Sequence, residues 1–147
     1  MTTTAPLANA RTLGLAHYAA RAVLESVLAR HGATFPQNVA LRLAAVAEAP
    51  LEREELVAQV VRSLKMDAAD ARGVVGELLA KGLLTTEESL VPITDAGRAF
   101  HAEVSAESAE FSARVWGGIP EEDLAAAGRV LALVTERANA ELAALSA

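Results

Sequence analysis

Residues Asp67–Leu84 read DAADARGVVGELLAKGLL, and their pattern is the strongest structural signal in the chain. Its apolar residues recur at helical spacing, which predicts a helix with one buried and one exposed face. The inward positions are Ala71, Val74, Val75, Leu78 and Leu79. Asp67 suits the N-cap, and Asp70 stands in the place of a capping-box acid. Gly82, directly after Lys81, ends the helix.

Two further helices are predicted upstream, over residues 34–48 and 52–64. The pair Ala49-Pro50 separates them, because the residue before a proline resists helical backbone angles. The second of these helices has three glutamates in its first turn, where negative charge suits the helix dipole. A short turn at Lys65-Met66 then joins it to the helix that follows Asp67.

Downstream, residues 83–93 predict a short β-hairpin. Its strands would be Leu83–Thr85 and Leu90–Ile93, with the tip at Glu87–Ser89. Pro92 requires an edge position, since proline cannot donate a hydrogen bond to a ladder. The tip carries no lysine or arginine, so this segment is acidic.

Long alanine-rich helices flank these elements on both sides. One is predicted over 7–31, another over 95–116 and a last one over 120–145. In the last helix, an apolar seam typical of helix-helix packing repeats every seven residues, at Leu124, Leu131, Ala138 and Leu145. We therefore expect a single, mainly α domain over 1–147, with a small β-hairpin. Its core would span 34–94, and 7–31 and 95–146 would be dimerisation helices.

Composition excludes several classes of protein. The 147 residues include no cysteine, which excludes disulfides and cysteine-based metal sites. The N-terminus has neither a basic nor an apolar signal-peptide region, and no apolar run nears the roughly 18 residues of a membrane span. We therefore expect a cytoplasmic protein without membrane association. The net charge of −6 argues against general coating of nucleic acid, although a sequence-specific reader can be acidic overall.

Two short helices, a turn, an amphipathic helix and a hairpin form the order of a winged helix-turn-helix. At this point the chain resembles the MarR (multiple antibiotic resistance regulator) family. The resemblance rests on Leu56-Val-Ala, Met66-Asp67, Val74–Leu84 and Ile93–Arg98, and on the order of the helices. It implies a homodimer and a small-molecule site between the dimerisation helices and the winged helix-turn-helix core, residues 34–94. The family wing is usually longer and carries arginine, so this wing is a shortened, acidic version.

In a winged helix-turn-helix the second helix presents its exposed side chains to the major groove. Arg72 is the only cation on that face, and arginine pairs bidentately with guanine. Arg62 and Lys65 flank the turn, where they can contact phosphates. The predicted DNA-binding residues are Arg62, Lys65, Ala69, Asp70, Arg72, Gly73 and Gly76. The alternative is that Arg72 is an ordinary solvated helix residue.

Isolated aromatic residues give a second set of candidates. His17, Tyr18 and Phe35 are candidates for a small-molecule site, although such residues are more often core or dimer contacts. No serine, histidine or acidic residue falls into a catalytic pattern, and the three histidines lack ligand spacing. We therefore expect no enzyme activity, no metal and no cofactor.

Two hypotheses follow from the sequence. The first is a homodimeric regulator, a repressor, that binds double-stranded DNA and responds to a small-molecule effector. The second is a dimeric ligand-binding or protein-interaction module that kept the winged-helix fold and lost tight DNA binding. The acidic wing favours the second. Arg62, Lys65 and Arg72, around the reader helix (the helix that follows Asp67), favour the first.

Overall fold

The computed structural model describes residues 4–147, and six helices form in them. They are α1 (Ala10–Arg30), α2 (Phe35–Val46), α3 (Arg53–Leu64), α4 (Ala68–Ala80), α5 (Asp95–Trp116) and α6 (Glu121–Leu145). The order of helices therefore matches the one predicted from the sequence. The segment Met1–Thr3, part of the N-terminus from which we expected no signal peptide, lies outside the described residues.

The chain divides into two compact units. The first ends at Phe111 and holds α1 to α4, the wing segment (residues 83–93) and most of α5. The second, Ser112–Ala147, holds the end of α5 and all of α6. Gly118 lies in the connection between these helices at a φ of +79°, a left-handed conformation that favours glycine. No residue of α6 is buried.

The main core of the first unit lies among α2, α3, α4 and the wing segment. It consists of Ala40, Leu41, Leu56, Val57, Val60, Ala71, Val74, Val75, Leu78, Leu84 and Val91. Four of the five inward positions predicted for α4 are thus buried, and Leu79 is partly buried against them. A smaller cluster of Val27, Leu28 and Val104 joins α1 to α5.

Side-chain caps fix where the first two helices begin. The side chain of Asn9 accepts a hydrogen bond from the backbone N–H of Thr12, so α1 starts at Ala10 rather than at the predicted Leu7. At α2, Thr34 caps the N–H of Gln37, and Gln37 Oε1 accepts from the Thr34 N–H in return. These reciprocal bonds satisfy backbone donors that a helix start leaves free.

The cap predicted for α4 differs in the structure. Asp67 occupies the N-cap position, but its side chain makes no capping hydrogen bond. The expected capping box with Asp70 is also absent, and an aspartate is one methylene shorter than the glutamate that normally reaches back. The two carboxylates therefore support the start of α4 through their charge near the positive end of the helix dipole.

The predicted two-stranded hairpin is wrong. Within residues 4–147 the wing segment forms only isolated antiparallel bridges, Leu84↔Ile93, Glu87↔Leu90 and Glu52↔Leu90. The tip is a two-residue turn, Glu88–Ser89, with Glu88 at a φ of +57°. Pro92 has no N–H to donate, so the ladder cannot continue through it. The second half of the wing segment also pairs with the residues just before α3, where Val91 N donates to Leu51 O.

Candidate nucleic-acid interface

The exposed face of α4 is the first element of the candidate interface. Ala69, Asp70, Arg72 and Gly73 are exposed, and Gly76 is partly exposed. A Cβ built on Gly73 or Gly76 would meet no other atom within 4 Å. This face therefore presents bare backbone with one long cationic side chain, Arg72, as the sequence predicted.

Arg72 is held by an ion pair across to α3. Its Nε donates to Glu54 Oε1 and its Nη2 to Glu54 Oε2, each at 3.2 Å. Both side chains stay more than half exposed, at 54% for Arg72 and 67% for Glu54. The hydrogen bond and charge of Glu54 raise the pKa of the Arg72 guanidinium, and Asp67 adds to this. Arg72 is thus positively charged, and its Nε and Nη2 donors already bind the Glu54 carboxylate.

The other two predicted cations lie at the end of α3. Arg62 Nη2 lies 3.4 Å from Glu55 Oε1, so this arginine also has a partner in the first turn of α3. Lys65 follows the helix in a left-handed conformation, with a φ of 55°. Among the described residues, the Lys65 side chain has no ion pair, which leaves its charge available to solvent.

The tip of the wing segment is acidic and exposed. Glu87 and Glu88 are both exposed, and the two-residue turn holds them together. Arg53 N donates to Ser89 O at 3.0 Å, which ties the tip to the start of α3. Negative charge at this position would oppose the approach of a phosphate backbone.

A cleft of about 460 Å³ opens between α1, α2 and α4, within the first unit. It is lined by Arg21, Glu25, Ala33, Thr34, Phe35, Pro36, Val74 and Glu77. The Arg21 guanidinium carbon lies 4.3 Å from the centre of the Phe35 ring, a cation–π contact, and its Nε bonds Glu25 at 3.0 Å. The cleft thus combines an aromatic wall with a cation.

The predicted ligand-binding residues are not all brought together. Phe35 lines the cleft, whereas His17 and Tyr18 do not. Their rings lie 5.9 Å apart on α1, and Tyr18 is 70% exposed. The sequence therefore pointed to the cleft through Phe35 alone.

A buried amide connects the cleft to α4. Gln37 is 5% exposed, and its Nε2 donates to Glu77 Oε2 at 2.6 Å. Its Oε1 accepts from Lys81 Nζ at 2.9 Å, and the same ammonium also donates to Gly32 O. Glu77 both lines the cleft and belongs to α4, so an occupant of the cleft would contact the helix that carries Arg72.

Sequence reasoning missed Glu54, Arg21, Gln37 and Glu77. Each of them acts through a residue on another helix, as Glu54 does with Arg72, 18 positions away. One available signal was the pair Glu54-Glu55 in the first turn of α3. Adjacent carboxylates repel each other, which favours ion pairs with nearby arginines. Gln37 gave a second signal, because its place three residues after Thr34 is that of a capping-box partner.

Two features of the described part of the chain bear on other functions. No helix there is both long and apolar enough to cross a bilayer. Within residues 4–147, no three side chains of His, Cys, Asp or Glu gather closely enough to hold a metal ion.

Solved structures of known proteins resemble this chain in fold, whereas comparisons of sequence alone find no match. No protein-family profile and no curated protein matches it. Staphylococcus aureus MarR in complex with salicylate and kanamycin matches with a TM-score of 0.76 and 16% identity, over 89% of this chain and 90% of that chain. CouR from Rhodococcus jostii RHA1 bound to p-coumaroyl-CoA matches with a TM-score of 0.68 and 20% identity, over 82% and 86%.

A third match is a MarR family protein of Mycobacterium tuberculosis in complex with DNA. Its TM-score is 0.67 at 22% identity, and the match covers 89% of this chain and 98% of that chain. At these identities the likeness concerns the fold, and it extends beyond the winged-helix core (residues 34–94) to most of each chain. The chain therefore has the fold of the MarR-family winged-helix transcriptional regulators.

Proposed function

We propose that this protein is a homodimeric, DNA-binding transcriptional regulator, a repressor, that responds to a small molecule. The observation that carries the proposal is the exposed face of α4, where Arg72 stands beside the bare backbone of Gly73 and Gly76. A helix with such a face can lie deep in the major groove, because no side chain at positions 73 and 76 holds its axis away from the bases. The M. tuberculosis relative with this fold was solved in complex with DNA.

The three cations would have different roles in the complex. Arg72 would read a guanine through two parallel hydrogen bonds. Lys65 and Arg62, at the end of α3, would contact phosphates and set the register of the reader helix without reading sequence. Asp70 is exposed on the same face, and a carboxylate there can accept a hydrogen bond from a cytosine amino group.

Dimerisation would use α1 and α6. In the single chain both helices leave large apolar side chains in solvent, and monomers seldom expose extended apolar surface. The exposed set is Leu13, Leu15, Tyr18 and Val23 on α1, and Val130, Leu131, Leu133, Val134, Leu142 and Leu145 on α6. A twofold dimer would also place two reader helices at matched half-sites.

The effector would bind in the cleft that Arg21 and Phe35 line. Its volume falls within the roughly 300–1,000 Å³ of small-molecule pockets. Two relatives of this fold were solved with salicylate or p-coumaroyl-CoA, both of which carry an aromatic ring. We propose an aromatic acid as effector, with its ring against Phe35 and its carboxylate on Arg21.

The test is selection of DNA fragments that the purified protein binds at low and at moderate salt. On the selected site, Arg72→Ala should weaken binding by about 1–3 kcal/mol and relax the preference at one base pair per half-site. Lys65→Ala should weaken all sequences alike, as the loss of a phosphate contact does. The proposal fails if no sequence is enriched, or if Arg72→Ala binds the selected site as tightly and selectively as the parent.

A second candidate function is a dimeric ligand-binding or protein-interaction module. It is favoured by the acidic wing tip and by the pairing of Arg62 and Arg72 with glutamates, which leaves little free positive charge on the face. The same selection of bound DNA fragments distinguishes the two functions. A module would remain dimeric and still bind aromatic acids in the cleft, yet it would enrich no DNA even at low salt.

A further inference from the structure

The pairing of Arg72 with Glu54 supports an inference that rests on the proposed function and goes beyond it. We propose that Glu54 is a specificity-determining residue, which keeps Arg72 out of non-specific DNA complexes and releases it only to a matched base edge. Glu54 would contact no base itself and would act through Arg72. It is therefore a positioning residue on α3 for a reading residue on α4.

The geometry of the pair supports this role. Both oxygens of Glu54 are engaged, one by Nε and one by Nη2 of Arg72, each at 3.2 Å. A guanine uses the same kind of fork, because its O6 and N7 accept two parallel hydrogen bonds from one guanidinium. Arg72 cannot offer Nε and Nη2 to a base and to Glu54 at the same time. Reading a base through this Nε–Nη2 edge of the guanidinium therefore requires an exchange of partners.

The exposure of the pair makes this exchange possible. Both side chains are more than half exposed, so the ion pair opens without disturbing the core. Exposed ion pairs contribute little to stability, so the loss of this one would not unfold the chain. Gly73 and Gly76 leave open space beside Arg72, so its side chain can swing across α4 towards a groove.

The consequence for specificity comes from charge. Non-specific affinity grows with the number of phosphates that lysines and arginines neutralise, because each neutralised phosphate releases counterions. The Arg72–Glu54 pair has no net charge, so Arg72 contributes little to non-specific affinity while it is paired. In a matched complex the reader helix sits close to the bases, and the two hydrogen bonds to guanine replace those to Glu54. Glu54 would thus lower non-specific affinity more than specific affinity.

The test compares Glu54→Gln with Glu52→Gln. Both variants remove one negative charge near the start of α3, and Glu52 has no ion pair among the described residues, so this variant releases no arginine. Binding to the selected site and to a random-sequence duplex is measured across a range of salt concentrations. Glu54→Gln should tighten random-sequence binding by up to about five-fold per reader helix, the equilibrium equivalent of one exposed ion pair. Its salt slope should steepen by about 0.9 for each additional phosphate that the released arginine neutralises.

A second pair of variants asks whether Glu54 acts through Arg72. In the Arg72→Ala background, Glu54→Gln should change random-sequence binding no more than Glu52→Gln does. In the parent background, the ratio of specific to non-specific affinity should fall for Glu54→Gln and stay near the parent value for Glu52→Gln. Thermal unfolding of each variant checks that all of them fold.

The outcomes separate this inference from the proposed function. If the parent reads a selected site but Glu54→Gln and Glu52→Gln behave alike, the inference is overturned and the proposed function stands. The inference is also overturned if the effect of Glu54→Gln persists without Arg72. If the parent binds no DNA at low salt, the proposed function fails. The inference is then overturned with it, because a parent protein that reads no site has no specificity for Glu54 to determine.

Discussion

Replacing Gly97 by alanine should destabilise the first unit, whereas the same change at Gly73 should stabilise it. Both glycines lie in helices, but Gly97 is buried at the start of α5 and Gly73 is exposed on α4. A Cβ on Gly97 would collide with the carbonyl oxygen of Leu83 and stand 2.7 Å from Cγ1 of Ile93. A Cβ on Gly73 would meet nothing within 4 Å.

The size of the effect follows from what would have to move. The Leu83 carbonyl accepts a hydrogen bond from Thr94 N at 3.1 Å, so it cannot retreat from a new methyl group without weakening that bond. Overpacking of this kind costs about 1–3 kcal/mol. The lower backbone entropy of alanine offsets about 0.5–1 kcal/mol of that cost. We therefore expect Gly97→Ala to lose about 1–2 kcal/mol, and Gly73→Ala to gain about 0.5–1 kcal/mol because nothing opposes its helix propensity.

The assay is urea unfolding of the two variants and the parent at one matched protein concentration, because the unfolding of an oligomer depends on concentration. The slope with denaturant should be the same for all three proteins, so that a shift in midpoint reports stability. A Gly97→Ala protein as stable as the parent would refute the reasoning. It would mean that the start of α5 does not pack closely against the wing segment.

Three further changes test other parts of the structure. Gln37→Leu should lower the free energy of unfolding by about 0.5–1.5 kcal/mol, because its hydrogen bonds to Thr34 N, Glu77 and Lys81 are lost while water can solvate these exposed partners; an unchanged midpoint in urea would contradict this. Replacing Glu87 and Glu88 by lysine should tighten binding to random-sequence DNA and steepen its salt dependence, and an unchanged slope would mean that the wing tip stays away from DNA. Leu131→Glu should shift the sedimentation of the protein from dimer towards monomer, and a parent protein that sediments as a monomer at micromolar concentration would refute the proposed dimer.

The helical part of the fold could be predicted because helix periodicity and helix-ending residues are local signals. The inward residues of α4 were fixed by their spacing, and Ala71, Val74, Val75 and Leu78 are buried. The wing was harder to predict, because its pairing is not local. Leu90 pairs with Glu52 as well as with Glu87, and no pattern within residues 83–93 contains that information.

The sequence predicted which residues belong to the exposed face of α4, but it did not predict which residues they contact. Periodicity tells which side of a helix faces solvent, so it placed Arg72 on the exposed face of α4. It does not tell how two helices are rotated against each other, and that rotation decides whether Arg72 meets Glu54. The same limit explains the cleft, where Phe35 was a candidate and its neighbour Arg21 was not.

The acidic composition acquires a structural meaning from these pairs. A net charge of −6 argues against a protein that binds DNA by bulk attraction. In the first turn of α3, however, Glu54 and Glu55 hold Arg72 and Arg62 while they also favour the positive end of the helix dipole. Of the three cations predicted to contact DNA, Lys65 is therefore the one without an ion pair among the described residues. Encounter would be weak and sensitive to salt, and the two arginines would add their charge only when a groove or phosphate replaces a glutamate. In such a protein, selectivity depends on which partner displaces the carboxylates, and net charge is a poor guide to it.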